Sequence, residues 1–246
     1  MRISVITSTT GSPLLKQAVE GILRQDYPDI DHYIFIDGKE REQATHAILD
    51  QITLPKNNVH TITLPHPTGM DRFNGHRVFG ASSYLARGDL IAFLDEDNWH
   101  DSNHFSSLVT LMTDHTLDWA YSLRKIVDHG GNFLINDDCE SLGIWKACIG
   151  DFRHVDSDAI SLSPIWYKQF RDNSTHTPDA IICNKLVDWK TSFGTPGLYS
   201  TNYRVGETSA SVRLEFFTHG NKVMLERYRE GLPWKKGPAL SRDILT

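Results

Sequence analysis

The 246-residue sequence has no run of about 18 apolar residues, which excludes a helical membrane span. It is poor in cysteine. Cys139, Cys148 and Cys183 are an odd count at wide spacings, so neither a disulfide framework nor a C-x-x-C metal site is expected, and a reducing compartment is. It has little excess charge: 25 basic against 31 acidic residues give a net −6. That mild acidity argues against nucleic-acid binding, which needs a basic face. An anionic substrate would therefore have to be met by a metal ion or by local donors. G-x-G-x-x-G is missing after the first strand pattern, which argues against a dinucleotide oxidoreductase; the P-loop and G-x-S-x-G are missing too. No linker, repeat or low-complexity stretch interrupts the chain, so one continuous domain is expected. The N-terminus reads as a strand from Arg2 to Thr7 rather than a signal peptide, which points to a cytoplasmic protein.

What is present is an alternation. Apolar residues make up 39% and charged residues 23%, as in ordinary globular proteins. After the Arg2–Thr7 strand, Ser12-Pro13 offers an N-cap and a first helical residue. Leu14, Leu15, Ala18, Val19, Ile22 and Leu23 then share a helix face that should end before Pro28. His32–Ile36 reads as a second strand. A helix is expected from about Glu40 to Gln51, with Ala44, Ala47, Ile48 and Ile52 inward. Val59–Leu64 reads as a strand, Gly75–Ala86 as a helix, Leu90–Leu94 as a fully buried strand, and Ser102–Thr113 as a helix. Such alternation implies an α/β fold, a mostly parallel sheet with helices on both faces, and ligands beyond the carboxyl ends of its strands. Thr7 to Thr10, Asp37 and Asp95 to Asn98 stand there. Beyond residue 115 the pattern is more mixed. Trp119–Val127 and Asn132–Ile135 suggest a hairpin, Pro164–Phe170 and Asp179–Trp189 helices, and Leu198–Val205 a strand. Residues 227–246 are expected to form an irregular, partly mobile tail.

The chemistry concentrates in Asp95-Glu96-Asp97-Asn98, directly after the Leu90–Leu94 strand. Crowded carboxylates are costly unless something positive sits among them. Oxygen ligands of this kind suit Mg²⁺ or Mn²⁺ carrying substrate phosphates.

Arg87-Gly88-Asp89-Leu90-Ile91-Ala92-Phe93-Leu94-Asp95-Glu96-Asp97 resembles the A-R-G-x-x-I-A-F-L-D-x-D segment of family 2 glycosyltransferases, which have the GT-A fold. Ile3-Ser4-Val5-Ile6-Thr7 and Gln25-Asp26-Tyr27-Pro28 resemble that family's first strand and the end of its first helix. Asp37 matches the acidic residue after its second strand, Asn74-Gly75 the start of the helix before the D-x-D motif, and Tyr203-Arg204-Val205 with Ser209 and Ser211 a late Y-R-x…S-x-S segment. The resemblance spans about residues 2–212. It implies one GT-A domain, with a nucleotide-sugar half over about 1–100, an acceptor half over about 101–212, and a C-terminal helix or tail over 213–246.

The resemblance further implies a nucleotide-diphosphate sugar donor (UDP-, GDP- or dTDP-linked), a glycan or other hydroxyl acceptor, and inversion at the anomeric carbon. Thr7, Thr9, Asp37 and Asn74 would contact the nucleotide. Asp95 would contact the ribose and the metal, and Asp97 would ligate Mn²⁺ or Mg²⁺ on the diphosphate. The base would be Asp179, at the head of the late helix, although Pro178 stands where the family commonly has an acidic neighbour; Asp156 and Asp158 are rivals. No Q-x-x-R-W occurs, so processive polysaccharide synthases match poorly. His100 and His104, four apart, could share a helix face; a metal pair there would need a third ligand that the sequence does not place, so surface histidines are expected, with His100 close enough to Asp97 to leave its joining the metal site open. Asn173-Ser174-Thr175 fits a glycosylation sequon by chance; Trp119, Trp145, Trp166 and Trp189 lie in the acceptor half, where aromatic faces could stack on a sugar, with core packing the default expectation for any single one. A sugar-nucleotide or nucleotidyl transferase is a rival function, weakened because Thr7-Ser8-Thr9-Thr10-Gly11-Ser12 carries no basic residue. A non-catalytic nucleotide-sugar binding module is another. The oligomeric state stays open, a homo-oligomer included.

Overall fold

The computed structural model describes residues 1–54, 58–69, 75–150, 152–162, 178–206 and 212–245. In chain order the first elements are β1 (Ile3–Thr9), α1 (Leu15–Leu23), β2 (Ile30–Ile36), α2 (Glu42–Leu49), β3 (Val59–Thr63), α3 (His76–Ser82), β4 (Leu90–Phe93) and β5 (Trp99–His100). There follow α4 (His104–His115), β6 (Trp119–Tyr121), β7 (Leu123–Val127), β8 (Phe133–Asn136), β9 (Ile160–Leu162), α5 (Pro178–Asp188), β10 (Phe193–Thr195), β11 (Tyr199–Arg204), α6 (Leu214–Arg227) and β12 (Ala239–Leu240). These elements form two compact units. The described residues of Met1–Ser102 and Ser161–Pro178 make the first, and those of Asn103–Ile160 and Asp179–Thr246 the second. The helix expected at Pro164–Phe170, Trp166, the Asn173 sequon, Asn74, Ser209 and Ser211 lie outside the described residues.

In the first unit the strand order is β9-β4-β1-β2-β3. The last four run parallel, and β9 is antiparallel to β4. β1 pairs with β2 in the register Ile3↔Ile30 to Thr9↔Ile36. It pairs with β4 from Ile3↔Leu90 to Ile6↔Phe93. Ile3, Val5 and Ile6 are fully buried, and so is Ser4, because helices cover both faces of a parallel sheet. Leu15 and Val19 of α1 pack with Ile34 and Leu49, and Ile48, Ile52, Leu54 and Val59 close that cluster. Each fully buried aliphatic side chain of this kind contributes about 1.5–3 kcal/mol. The inward face of α2 is therefore Thr45, Ile48 and Leu49, whereas Ala44 and Ala47 are exposed. Thr45 can turn inward because its hydroxyl donates to the Arg41 carbonyl at 2.9 Å.

Two local features of the sequence acquire a cause here. Ser12 Oγ accepts the Leu14 N–H at 3.3 Å and its carbonyl accepts the Leu15 N–H at 3.0 Å, a turn that leads into α1; the helix itself begins two residues later than Ser12-Pro13 suggested, with Leu14 as its N-cap and no side chain capping it. Gly88 lies where β4 enters beside β1. A Cβ there would meet Ser4 N at 2.6 Å and Arg2 O at 2.8 Å, both backbone atoms, so no side chain fits.

In the second unit the orders are β12-β10-β6 and β11-β7-β8. The stretch expected as one strand, Trp119–Val127, is two. The chain breaks at Ser122, whose N–H donates to Ala159 O at 2.9 Å and whose hydroxyl bonds Thr201 at 2.7 Å. Trp119 stacks on Phe193 with centroids 4.2 Å apart, and its indole N–H donates to Thr191 at 2.9 Å. Trp145 is buried as well, whereas Trp189 is 44% exposed.

The C-terminal stretch is not an irregular tail over its described residues. β12 pairs antiparallel with β10, and Trp234 is fully buried. The Trp234 indole donates to Asp138 Oδ1 at 2.7 Å and Lys235 Nζ pairs with Asp138 Oδ2 at 2.7 Å. Tyr199 donates to the same carboxylate. Burial first, and then Asp138, push the Tyr199 phenol well above its ordinary pKa.

Candidate active site

The parallel register brings the carboxyl ends of β1, β2 and β4 to one edge. Asp37 follows β2 directly, and its N–H donates to Thr9 O at 2.9 Å. Its carboxylate is 2% exposed yet well supplied with donors. Oδ1 accepts the Thr68 N–H at 2.7 Å and hydroxyl at 2.8 Å, and Oδ2 accepts the Gly69 N–H at 2.9 Å. Asp37 thereby holds residues 68 and 69 against the strand ends. On the other side, Leu94 N–H donates to Ile6 O at 2.9 Å, and the chain leaves β4 into a turn closed by Asn98 N–H on Asp95 O at 3.2 Å. That turn carries the acidic triplet.

A cleft of about 440 Å³ opens between these segments, lined by Ser8, Thr10, Asp37, Arg41, Pro67, Gly69, Gly75, Asp95, Glu96 and Asp97. Of the residues expected at a nucleotide, Asp37 and Asp95 reach it, and so does Asp97, expected on a metal. Thr7 and Thr9 do not; both are fully buried. Thr7 Oγ1 bonds His32 Nε2 at 2.9 Å beneath the cleft floor. Successive strand residues point to opposite faces, so Ser8 and Thr10 line the cleft instead. Asn74 lies outside the described residues. Ser8 and Thr10 belong to the Thr7 to Thr10 stretch expected at the ligand edge, whereas Arg41, which brings a positive charge to the lining, carries no such signal in the sequence.

The three carboxylates of the triplet do different things. Asp95 is exposed and Asp97 half-buried. Glu96, between them, turns to the loop after β1. Its Oε2 accepts the Thr9 hydroxyl at 2.5 Å and the Ser12 N–H at 3.1 Å. Its Oε1 accepts the Thr10 hydroxyl at 2.7 Å, and the Thr10 N–H lies 3.1 Å from both oxygens. Among the described residues, hydrogen bonds rather than a positive side chain meet the central charge of the triplet.

Among the described residues no group of three or more His, Cys, Asp or Glu is arranged to hold a metal. Asp95 and Asp97 offer two carboxylates on one cleft wall. Hard oxygen donors of this number fit Mg²⁺ or Mn²⁺, which protein sites commonly hold through one or two carboxylates together with substrate phosphates. His100 is not a surface residue on a helix: it lies in β5 and is 2% exposed, and His104, at the start of α4, is fully buried with Nδ1 2.9 Å from Ser200 Oγ.

In the second unit Asp179 falls in the first turn of α5. Its sequence rivals are engaged elsewhere. Asp156 pairs with Arg124 at 2.5 Å, and Asp158 is fully buried. Arg124 is itself buried, with Asp137 and Glu140 each at 2.7 Å and the Tyr203 ring 4.4 Å below it. Burial opposes the guanidinium charge, but Asp137, Asp156 and Glu140 outweigh it and hold its pKa well above the ordinary value. This explains the Tyr203 of the Tyr-Arg pair as a platform under a buried cation.

The family model described as Glycosyl transferase family 2 matches residues 4–186. Among solved structures, TarS 1–349 of S. aureus in complex with UDP-GlcNAc is similar at 15% identity and a TM-score of 0.59, over 94% of this chain and 66% of that one. The same TarS fragment with UDP gives 11% identity and 0.61, over 94% and 72%. The mannosyltransferase PcManGT of Pyrobaculum calidifontis, in complex with GDP-Man and Mn²⁺, gives 12% and 0.62, over 85% and 58%. The chain thus spans just under two thirds of the first of these and less of the mannosyltransferase. A search of the curated proteins found no match. The likenesses show a GT-A-like α/β fold.

Proposed function

The chain belongs to glycosyl transferase family 2, and from that premise we propose that it moves a sugar from a nucleotide-diphosphate donor to a hydroxyl acceptor, with inversion at the anomeric carbon. The observation that carries this reading is the cleft at the ends of β1, β2 and β4, where Asp37, Asp95 and Asp97 meet Ser8, Thr10 and Arg41. The donor's nucleoside lies against Ser8, Thr10 and Asp37, while Thr7 and Thr9 brace the floor from beneath. Asp95 faces the ribose, and Asp95 and Asp97 hold Mn²⁺ or Mg²⁺ beside the diphosphate. When bound, the cation neutralises the diphosphate and the charge it gains on leaving. TarS has been solved with UDP-GlcNAc and PcManGT with GDP-Man and Mn²⁺, which supports a donor and a cation of these classes.

Asp179 acts as base. It takes the proton of the acceptor hydroxyl as that oxygen attacks the anomeric carbon and the bond to the diphosphate breaks on the opposite face. The positive end of α5 favours the ionised carboxylate that this role needs. Asp156 is committed to Arg124, and Asp158 is buried, which favours Asp179 over both. Nucleotidyl transfer is disfavoured because the amides of the loop after β1, which would receive phosphate in that chemistry, are taken by Glu96. Asp179→Asn is nearly isosteric and should lower transfer by roughly two to four orders of magnitude while donor binding persists. Near-normal transfer by that variant, or NMR showing a retained anomeric configuration in the product, would overturn this mechanism.

A further inference from the structure

We propose that Glu96 is a positioning residue for the nucleotide, locking the loop after β1 to the turn that carries Asp95 and Asp97. The inference rests on the reading of the cleft as a nucleotide-diphosphate site. Its basis is the direction and chemistry of five contacts: the Thr9 hydroxyl at 2.5 Å, the Thr10 N–H at 3.1 Å to each oxygen, the Thr10 hydroxyl at 2.7 Å and the Ser12 N–H at 3.1 Å. Two of these donors belong to Thr10, which itself lines the cleft. A second tie stiffens the same loop, since Thr9 Oγ1 accepts the Gly11 N–H at 3.0 Å. One carboxylate thus sets the nucleoside wall at Thr10, and its two chain neighbours, Asp95 and Asp97, form the phosphate wall.

Only an acceptor-only group fits this position. Oε1 faces the Thr10 N–H, and Oε2 faces the Thr10 and Ser12 N–H groups. Backbone donors cannot reverse. Glutamine has one amide nitrogen, and either orientation sets its NH₂ against a backbone N–H. Glu96→Gln therefore keeps the size of the side chain and releases one side of the loop. The role is distinct from metal ligation: it acts on the nucleoside, so its loss is felt by a nucleotide lacking the diphosphate.

The test measures UDP, GDP and dTDP binding with Mn²⁺, and then the matching monophosphate without metal, on the folded wild type and Glu96→Gln. Donor KM for the same nucleotide is measured beside kcat. We expect the variant to weaken both di- and monophosphate by about tenfold or more, to raise donor KM alike, and to leave kcat at saturating donor within about threefold. A merely structural role would lower the melting temperature and leave KM of the folded enzyme unchanged; that result overturns the proposal. Weakening confined to the diphosphate in the presence of Mn²⁺ makes Glu96 a metal ligand and also overturns it. A wild type that binds none of the three diphosphates removes the functional reading itself, whatever the variant does. Should Glu96→Gln not fold, Thr10→Val removes one donor alone and should raise monophosphate Kd by a smaller factor; no change there overturns the proposal.

Discussion

His32 sits in β2 under the cleft floor, 1% exposed, with Nε2 on Thr7 Oγ1 at 2.9 Å and Nδ1 without a hydrogen-bond partner among the described residues. Burial, with a smaller push from His100, lowers its pKa from 6.5 to about 3. The folded state therefore refuses a proton that the unfolded chain accepts below pH 6.5. Stability from this residue is complete above pH 6.5 and declines as pH falls towards 3. Linkage between those two values gives a loss of about 2 kcal/mol between pH 7 and pH 5. The figure barely moves if the folded pKa is one unit higher, because pH 5 still lies above it. For a chain of this length that corresponds to about 4–8 °C in Tm. His32→Gln keeps a polar atom for Thr7 and cannot titrate. Urea unfolding at pH 7 and pH 5 should show the wild type losing about 2 kcal/mol more than the variant, since the remaining titrations are common to both. Equal losses would show that His32 ionises in the folded protein, and the buried, neutral description of β2 would fail with it.

Two further outcomes follow from the second unit. Arg124→Met leaves Asp137, fully buried, without its cation, and should cost about 3–5 kcal/mol in urea unfolding; a loss under about 1 kcal/mol would contradict the buried cluster. Trp234→Ala empties a fully buried site and frees Asp138 from the indole N–H, for about 3–5 kcal/mol, and limited proteolysis should then cut within 228–245; an unchanged melt and digestion pattern would show that this segment does not dock.

The helices and parallel strands of the first unit could be read from local pattern because each is a single amphipathic or continuously apolar run, whereas the short β5 and β9 could not. The parity of β1 could not. Ile3-Ser4-Val5-Ile6-Thr7 is buried on both faces, so nothing in its periodicity says whether Thr7 or Ser8 will face a ligand. The acidic triplet lines the cleft where its place after β4 suggested, yet the partners of Glu96 lie in a loop more than eighty residues earlier in the chain. The phase of α2 was misread because a threonine hydroxyl can satisfy itself on the preceding turn and enter the core. The C-terminal segment looked irregular because its anchor, Asp138, lies 96 residues from Trp234. In each case the deciding partner is non-local, and composition carries no trace of it.

The most direct measurement is a calorimetric titration of UDP, GDP and dTDP into the wild type with Mn²⁺, repeated with chelator and in Asp97→Asn. At least one of the three should bind the wild type with cation present, and that binding should fall steeply on chelation and in the variant, because Asp95 and Asp97 supply the carboxylates on the cleft wall. Binding of equal strength in all three conditions, or no binding of any nucleotide, would contradict a cation-assisted nucleotide-sugar site at the ends of β1, β2 and β4.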